Sequence, residues 1–328
     1  MYNEEGNNLL EKEFARNSIL LNQFCRIMDL CGIDAVLVPL KGVSLLFTLY
    51  KDDYARNVGD IDFLIEESKV GEAIGKLQQA GYVLRSKKAT ANRLISKRKF
   101  DMVHVDKRFC DLDIHVDLVT KKFFRITTGD FTSFAMSRLQ KINYKGYEIS
   151  LLSPVDEWLY LAQHYCFHLF SQDKWLKDLY LLQSGFSEKE RMELIDIAGR
   201  FNLKRVVTAC SQCLRTAYAG KEIKIPHLIE DKPLFFNLIL RRSSRRYDSH
   251  KRIDRLIAAY WEFLFIDNAA LRAEAFLCLL FPSFSMFCSI YTLYSLPAFI
   301  LLYPFHIVLV LFSSLLFFPA LLAHRIIK

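Results

Sequence analysis

Asp60-Ile61-Asp62 sets two carboxylates two residues apart in a segment, Val58 to Ile65, that is otherwise apolar apart from Gly59. In an extended strand alternate side chains share a face, so Asp60 and Asp62 point together while Ile61, Phe63 and Ile65 turn to the core. Two like charges held that close repel unless a cation lies between them. A hard dication such as Mg²⁺ uses one or two carboxylates together with oxygens of a phosphate-bearing substrate. The tripeptide alone leaves open a second reading, two solvated aspartates at a strand end. Further on, Cys110 to Leu118 alternates strictly, with Leu112, Ile114, Val116 and Leu118 on one face and Asp111, Asp113, His115 and Asp117 on the other. A solvent-facing strand more often carries Thr, Lys or Ser there, so this face is expected to be functional. The run Phe100 to Val105, with a turn near Asp106-Lys107, is the expected antiparallel partner.

The elements that must position these groups begin upstream. Ala35 to Pro39 reads as a buried strand, and Lys41-Gly42-Val43-Ser44 opens an apolar helix expected to run through Tyr50. A strand, a turn and a helix N-terminus gather backbone N–H groups into an anion site. Gly42 permits close approach, Ser44 offers a hydroxyl and Lys41 a point charge. Arg56 could meet a phosphate as a planar fork, or it could pair with Asp52 or Asp53; both readings stand.

Taken in order, Lys41-Gly42, Leu49-Tyr50, Arg56, Asp60-Ile61-Asp62 with Phe63-Leu64-Ile65, Gly81-Tyr82, Asp113-Ile114-His115, His164, His168 and Trp175-Leu176-Lys177-Asp178 resemble the uncharacterised nucleotidyltransferase family of bacteria. The likeness runs from about residue 10 to about 220. Its wider superfamily is similar to DNA polymerase beta in the catalytic core. There a Gly-Ser or Gly-Gly turn holds the triphosphate and three carboxylates hold the metals. By position, the resemblance makes Asp60 and Asp62 the first pair and Asp113 the third carboxylate, with Mg²⁺ or Mn²⁺ as cofactor and an NTP as substrate. It also implies a neighbourhood of surface-polysaccharide or peptide natural-product biosynthesis. The turn departs from the pattern: Val43 separates Gly42 from Ser44, and Gly42 stands further than usual from Asp60. In a two-metal displacement one ion acidifies the acceptor hydroxyl while the other holds the triphosphate and steadies the leaving pyrophosphate. Asp111 and Asp117 are the alternatives to Asp113.

His115 fits a group that orients a ligand carboxylate better than it fits a ligand to Mg²⁺. His164 and His168, at i and i+4 on an expected helix, have zinc spacing but lack the intervening glutamate of a metalloprotease. The preferred reading is a structural pair lining an acceptor cleft with Asp178. Ser153-Pro154-Val155-Asp156-Glu157 starts a helix, with Ser153 as cap, Pro154 at the first position and acids in the first turn. Glu188 to Phe201 and Leu203 to Tyr218 continue the helical pattern.

At 328 residues and 52% hydrophobic content the chain is long enough for about two globular domains and too apolar for disorder. The apolar excess is concentrated: Ala275 to Ala323 has no Asp, Glu, Lys or Arg. That stretch could hold two membrane spans, Leu277 to Leu296 and Ile300 to Leu322, each near the roughly 20 residues a bilayer requires. A buried helical pair and helices lying flat on the bilayer are the alternatives. Arg241, Arg242, Arg245, Arg246, Lys251 and Arg252 precede it, and Arg325 and Lys328 follow, as expected of ends kept at the cytoplasmic face. The net charge of +8 resides in that run and in residues 85–99; elsewhere acids slightly outnumber bases, which weighs against a nucleic-acid partner. Eight scattered cysteines make no disulfide framework, Cys210 and Cys213 being an isolated pair, and Met1 to Asn8 lacks signal-peptide character.

The expected fold is α+β: a small mixed β-sheet catalytic core over 1–150, a helical lobe over 151–267 and an apolar helical tail over 268–328. The expected function is metal-dependent transfer of NMP from an NTP to a hydroxyl-bearing acceptor, a glycan or lipid-linked precursor, peptide or protein, at the cytoplasmic membrane face, with membrane lipid as a further partner. The competing expectation is a catalytically silent member of the same fold, tethered to the membrane as a binding module.

Overall fold

A computed structural model of the chain describes residues 4–32, 36–51, 56–85, 98–119, 122–168, 170–223, 262–284, 287 and 295–323. The basic residues of 86–97 and 241–252, Asp52 and Asp53, and Arg325 and Lys328 lie outside these described residues. The chain forms two compact units, one of residues 1–120 and 130–161, the other of 121–129 and 162–328.

The first unit opens on a long helix, α1 (Glu4–Cys31), which buries Leu20, Leu21, Phe24, Ile27 and Cys31 at helical spacing. Gly32, at φ +85°, ends it in the left-handed conformation that favours glycine. Then follow β1 (Leu37–Pro39), α2 (Lys41–Phe47), β2 (Ile61–Ile65), a 3₁₀ turn (Glu67–Lys69), α3 (Val70–Gln79), β3 (Tyr82–Leu84), β4 (Lys99–His104) and β5 (Leu112–His115). The strands build a five-stranded sheet in the order β1-β2-β5-β4-β3. Pro39 is tolerated because β1 is an edge strand. β2 and β5 are parallel, with Asp62 opposite Asp113; the other pairs are antiparallel, and β4 places Asp101 opposite Asp113. All five residues of β2 are buried, so Asp62 is carried into the interior by its apolar neighbours.

Two elements are shorter than their patterns suggest. α2 stops at Phe47, where Thr48 leaves helical geometry and the Tyr50 N–H turns back to the Leu45 carbonyl. β5 keeps only four residues because the chain bends after His115, although Val116 and Leu118 stay buried. Asp111 and Asp117 therefore fall outside the strand.

After β5 the first unit continues with a short helix (Phe131–Met136) and a hairpin, β6 (Gln140–Tyr144) and β7 (Tyr147–Leu151). Its turn residues Lys145 and Gly146 both have positive φ, which matches the twist of the flanking strands. The helix Pro154–Phe167 is shared between the units. It starts as expected, with the Asp156 N–H donating to the Ser153 hydroxyl at 3.2 Å.

The second unit is helical, with Lys122–Thr128, Asp173–Ser184, Glu188–Arg200, Lys204–Ala217, Ala269–Leu280 and Leu296–Ala323. Ser187 and Glu190 form a reciprocal capping box at the head of Glu188–Arg200. The tail corrects the sequence reading. The expected span Leu277 to Leu296 does not form as one helix: Ala269–Leu280 ends there, and Phe281, Pro282 and Ser283 are not helical. No helix among the described residues is long and apolar enough to cross a membrane. His306, buried in the apolar helix Leu296–Ala323, makes a hydrogen bond of 2.8 Å with the Leu279 carbonyl and so ties the two tail helices together.

Candidate functional site

The parallel register of β2 and β5 sets Asp62 and Asp113 side by side, and alternation brings His115 to the same face. One ligand atom from each of Asp62, Asp113 and His115 lies within 4.8 Å of the others, the one such cluster among the described residues. His115 Nε2 stands 3.4 Å from Asp62 Oδ1 and 3.8 Å from Asp113 Oδ2. Asp62 and His115 are buried, and the ring of the fully buried Tyr160 meets that of His115 edge-on.

Two lysines enter this acidic cluster from opposite sides. Lys41, buried at the head of α2, places Nζ 2.5 Å from Asp62 Oδ1 and 3.7 Å from Asp113 Oδ2. Its backbone takes φ +51°, a left-handed conformation uncommon for a residue with a side chain. The Leu40 N–H donates to the Asp62 carbonyl at 2.9 Å, tying this corner to β2. Lys99, half-buried on β4, reaches Asp113 Oδ2 at 2.5 Å.

The electrostatics follow from this arrangement. Burial alone would depress the Lys41 ammonium; Tyr160, Asp62 and Asp113 around it more than reverse that and hold it above its ordinary value. Burial would likewise raise Asp113, but His115, Lys99 and Lys41 outweigh it and hold the carboxyl below the usual range. Asp60 is open to solvent on one side, yet desolvation by the protein around it, followed by Asp62, pushes its carboxyl up. Asp101 is raised in the same way, first by burial and then by Asp113.

Asp60 lies outside the tight cluster because it precedes the first paired residue of β2, Ile61 opposite Leu112. It opens instead onto a cleft of about 450 Å³ lined by Gly59, Arg85, Lys99, Asp101, Asp111 and Asp113. Asp111 is engaged by Arg85 at 2.7 Å. Asp117 is turned elsewhere, its Oδ1 accepting from the Thr132 hydroxyl and the Val119 N–H.

The residues expected to cradle phosphate are packed around α2. The Ser44 hydroxyl donates to buried Glu157 Oε2 at 2.8 Å. Gly42 packs so tightly against Arg56 and Val58 that an added Cβ would lie 2.6 Å from Arg56 Nη1. Arg56 is buried, and its carbonyl accepts from the Asn17 amide at 2.7 Å. Sequence reasoning did not single out Lys99, Asp101, Arg85, Glu157 or Tyr160. Alternation along Lys99-Phe100-Asp101 places Lys99 and Asp101 on the face of Asp113, but Lys99 reads as the edge of the basic run 85–99 and Asp101 only as part of the strand Phe100 to Val105.

The donor set suits a hard divalent cation. Asp113 Oδ1 and His115 Nδ1 are buried with no hydrogen-bond partner among the described residues, as expected of groups built to face an ion or its hydration shell. The family profile described as uncharacterised nucleotidyltransferase matches residues 9–218. The chain belongs to this family. No curated protein matches it. The match takes in the whole five-stranded sheet of this nucleotidyltransferase and continues through Lys204–Ala217. It also covers the second unit's ring cluster, in which His164 and His168 pack on each other with centroids 4.3 Å apart and on Trp175 at 4.4 and 5.2 Å. Asp178 is fully buried on the helix that carries Trp175.

Proposed function

We propose that this chain transfers a nucleoside monophosphate from an NTP to a hydroxyl-bearing acceptor, using Mg²⁺ or Mn²⁺ held by Asp62 and Asp113. The observation that carries the reading is the buried pairing of those two carboxylates across adjacent parallel strands, beside His115, in a chain of the nucleotidyltransferase family. When bound, a divalent cation neutralises the triphosphate and acidifies the acceptor hydroxyl. Asp62 and Asp113 hold it from the sheet, Asp60 contributes from the rim, and His115 orients the Asp62 carboxylate. Arg85 and Lys99, at the mouth of the cleft, meet the phosphates by releasing their carboxylate partners. Lys41, Gly42 and Arg56 are packed at the head of α2 and are not among the residues lining that cleft.

The acceptor we favour is a glycan or lipid-linked precursor, a peptide or a protein side chain, met at the cytoplasmic face of a membrane. Support comes from the apolar residues that Leu296–Ala323 turns outward, Leu301, Phe305, Val308 and Leu315 among them, and from the cationic run at 241–252. Flotation with anionic against zwitterionic vesicles tests this part. Equal recovery with and without vesicles overturns it.

Incubation with each labelled NTP, Mg²⁺ or Mn²⁺ and a cell extract tests the chemistry. Label should pass to an acceptor with the wild type and be lost in Asp62→Ala and Asp113→Asn; transfer unchanged in either variant overturns the assignment. The competing reading, a silent nucleotide-binding module, draws on the Lys41 and Lys99 ion pairs, which neutralise the acids without a metal. Calorimetric NTP binding with no label transferred under any condition selects it.

A further inference from the structure

We propose that the Lys41 ammonium is a built-in cation of this centre: it permanently fills one of the two cationic positions at the Asp62–Asp113 pair, so that transfer uses a single exchangeable divalent ion. The inference rests on the functional reading above and specifies its cofactor stoichiometry. Four observations carry it. Lys41 Nζ bridges the two carboxylates, at 2.5 Å from Asp62 and 3.7 Å from Asp113. It does so from a buried position, whereas Lys99, the other lysine on this pair, has about a third of its side chain exposed and can swing away into the cleft.

Its backbone is fixed against release. The left-handed φ at Lys41 aims the side chain at β2, and the Leu40 N–H is tied to the carbonyl of Asp62 itself. Strain of this kind persists where the surrounding structure over-determines it, and it clusters at functional sites. Finally, Tyr160, which packs edge-on against His115 and lies within electrostatic range of Lys41, is buried, and its hydroxyl has no hydrogen-bond partner among the described residues. An ammonium that left the carboxylates while still buried would lose its two counter-charges, which is costly.

A dication sharing the gap between Asp62 and Asp113 would sit against a fixed positive charge at contact range, which opposes its binding there. The remaining place for an exchangeable ion is the outer side of the pair, toward Asp60 and the cleft. That side carries the acids lacking a buried lysine.

The test is Mn²⁺ binding to the full chain, with the metal alone as probe, followed by electron paramagnetic resonance of free Mn²⁺ at fixed pH. The wild type should bind one ion, Lys41→Met should bind two, and Asp62→Ala should lose specific binding. Lys41→Gln carries the same expectation should the methionine variant fail to fold, as judged by circular dichroism. A wild-type stoichiometry of two, or a Lys41 variant with the number and affinity of the wild type, overturns the built-in cation while leaving the metal reading intact. Binding indifferent to Asp62→Ala and Asp113→Asn overturns the metal reading and this inference with it.

Discussion

Gly42→Ala is a sharp test of how the head of α2 is packed. A Cβ at residue 42 would lie 2.6 Å from Arg56 Nη1 and 2.7 and 2.9 Å from the two Val58 methyls. Carbon atoms in favourable contact stand about 3.5–4 Å apart, so the neighbours would have to retreat by about 1 Å. Arg56 is the flexible partner but is buried, and Val58 is buried and stiff at χ1. Overpacking of this kind costs about 1–3 kcal/mol. The better helix propensity of alanine returns up to about 1 kcal/mol, so with the full return the net loss is about 0–2 kcal/mol. Gly75→Ala within α3 is the control, since nothing lies within 4 Å of its Cβ and only the propensity gain of about 1 kcal/mol remains. Urea unfolding followed by far-ultraviolet circular dichroism should raise the midpoint of Gly75→Ala and leave that of Gly42→Ala at or below the wild type. A Gly42→Ala protein stabilised as much as Gly75→Ala would refute the packing at the head of α2.

Other outcomes can be checked on the same footing. Ser44→Ala removes a hydrogen bond to a buried carboxylate and should cost about 1.5–3 kcal/mol of unfolding free energy. Asp62→Ala, measured in chelator, should cost about 3 kcal/mol, the low end for a broken buried pair, because Asp113 still stands 3.7 Å from Lys41. Asp62→Ala should also abolish label transfer, whereas Asp117→Asn, facing Thr132, should retain it. Burial pushes the thiols of Cys166 and Cys213 well above their ordinary range, so they carry almost no thiolate at pH 8; a thiol reagent should modify them only once urea unfolds the chain.

Much of the site was legible because β-strands alternate. In Val58 to Ile65 and in Cys110 to Leu118 the apolar face dictates which way the acids point, and the pairing of Asp62 with Asp113 follows once the two strands are neighbours. Phe100 to Val105 as an antiparallel partner of β5 was readable for the same reason. Where each strand stops was not. The bend after His115 depends on tertiary contacts, such as the Val116 N–H donating to the Arg98 carbonyl, so Asp117 looked equivalent to Asp113 when it is not. The direction of Lys41 was hidden more deeply. A lysine before a glycine at a helix start reads as an exposed phosphate hook, and nothing local announces a left-handed φ that folds it inward. In the tail, composition gave the apolar helices, and the break after Leu280 falls beside Pro282, which the expected span Leu277 to Leu296 runs across.

The charge balance shows from which side an incoming cation would be received. Asp62 and Asp113 have internal counter-charges in Lys41 and Lys99, and Asp113 is accordingly held below the usual carboxylate range. Asp60 and Asp101 are raised instead, burial outweighing Lys41 and Lys99 at the first and Lys99 and Arg85 at the second, with the neighbouring acids adding to it. The cleft side of the sheet carries more acids than bases, with Asp60, Asp101, Asp111 and Asp113 sharing one opening with Arg85 and Lys99. A metal bound to triphosphate brings both signs to such an opening: the ion relieves the acids, and the phosphates draw off the two mobile cations. The same delivery from behind would meet Lys41, whose charge is already spent. On this charge balance the sheet's cleft face, and not the N-terminus of α2, is the side expected to receive substrate.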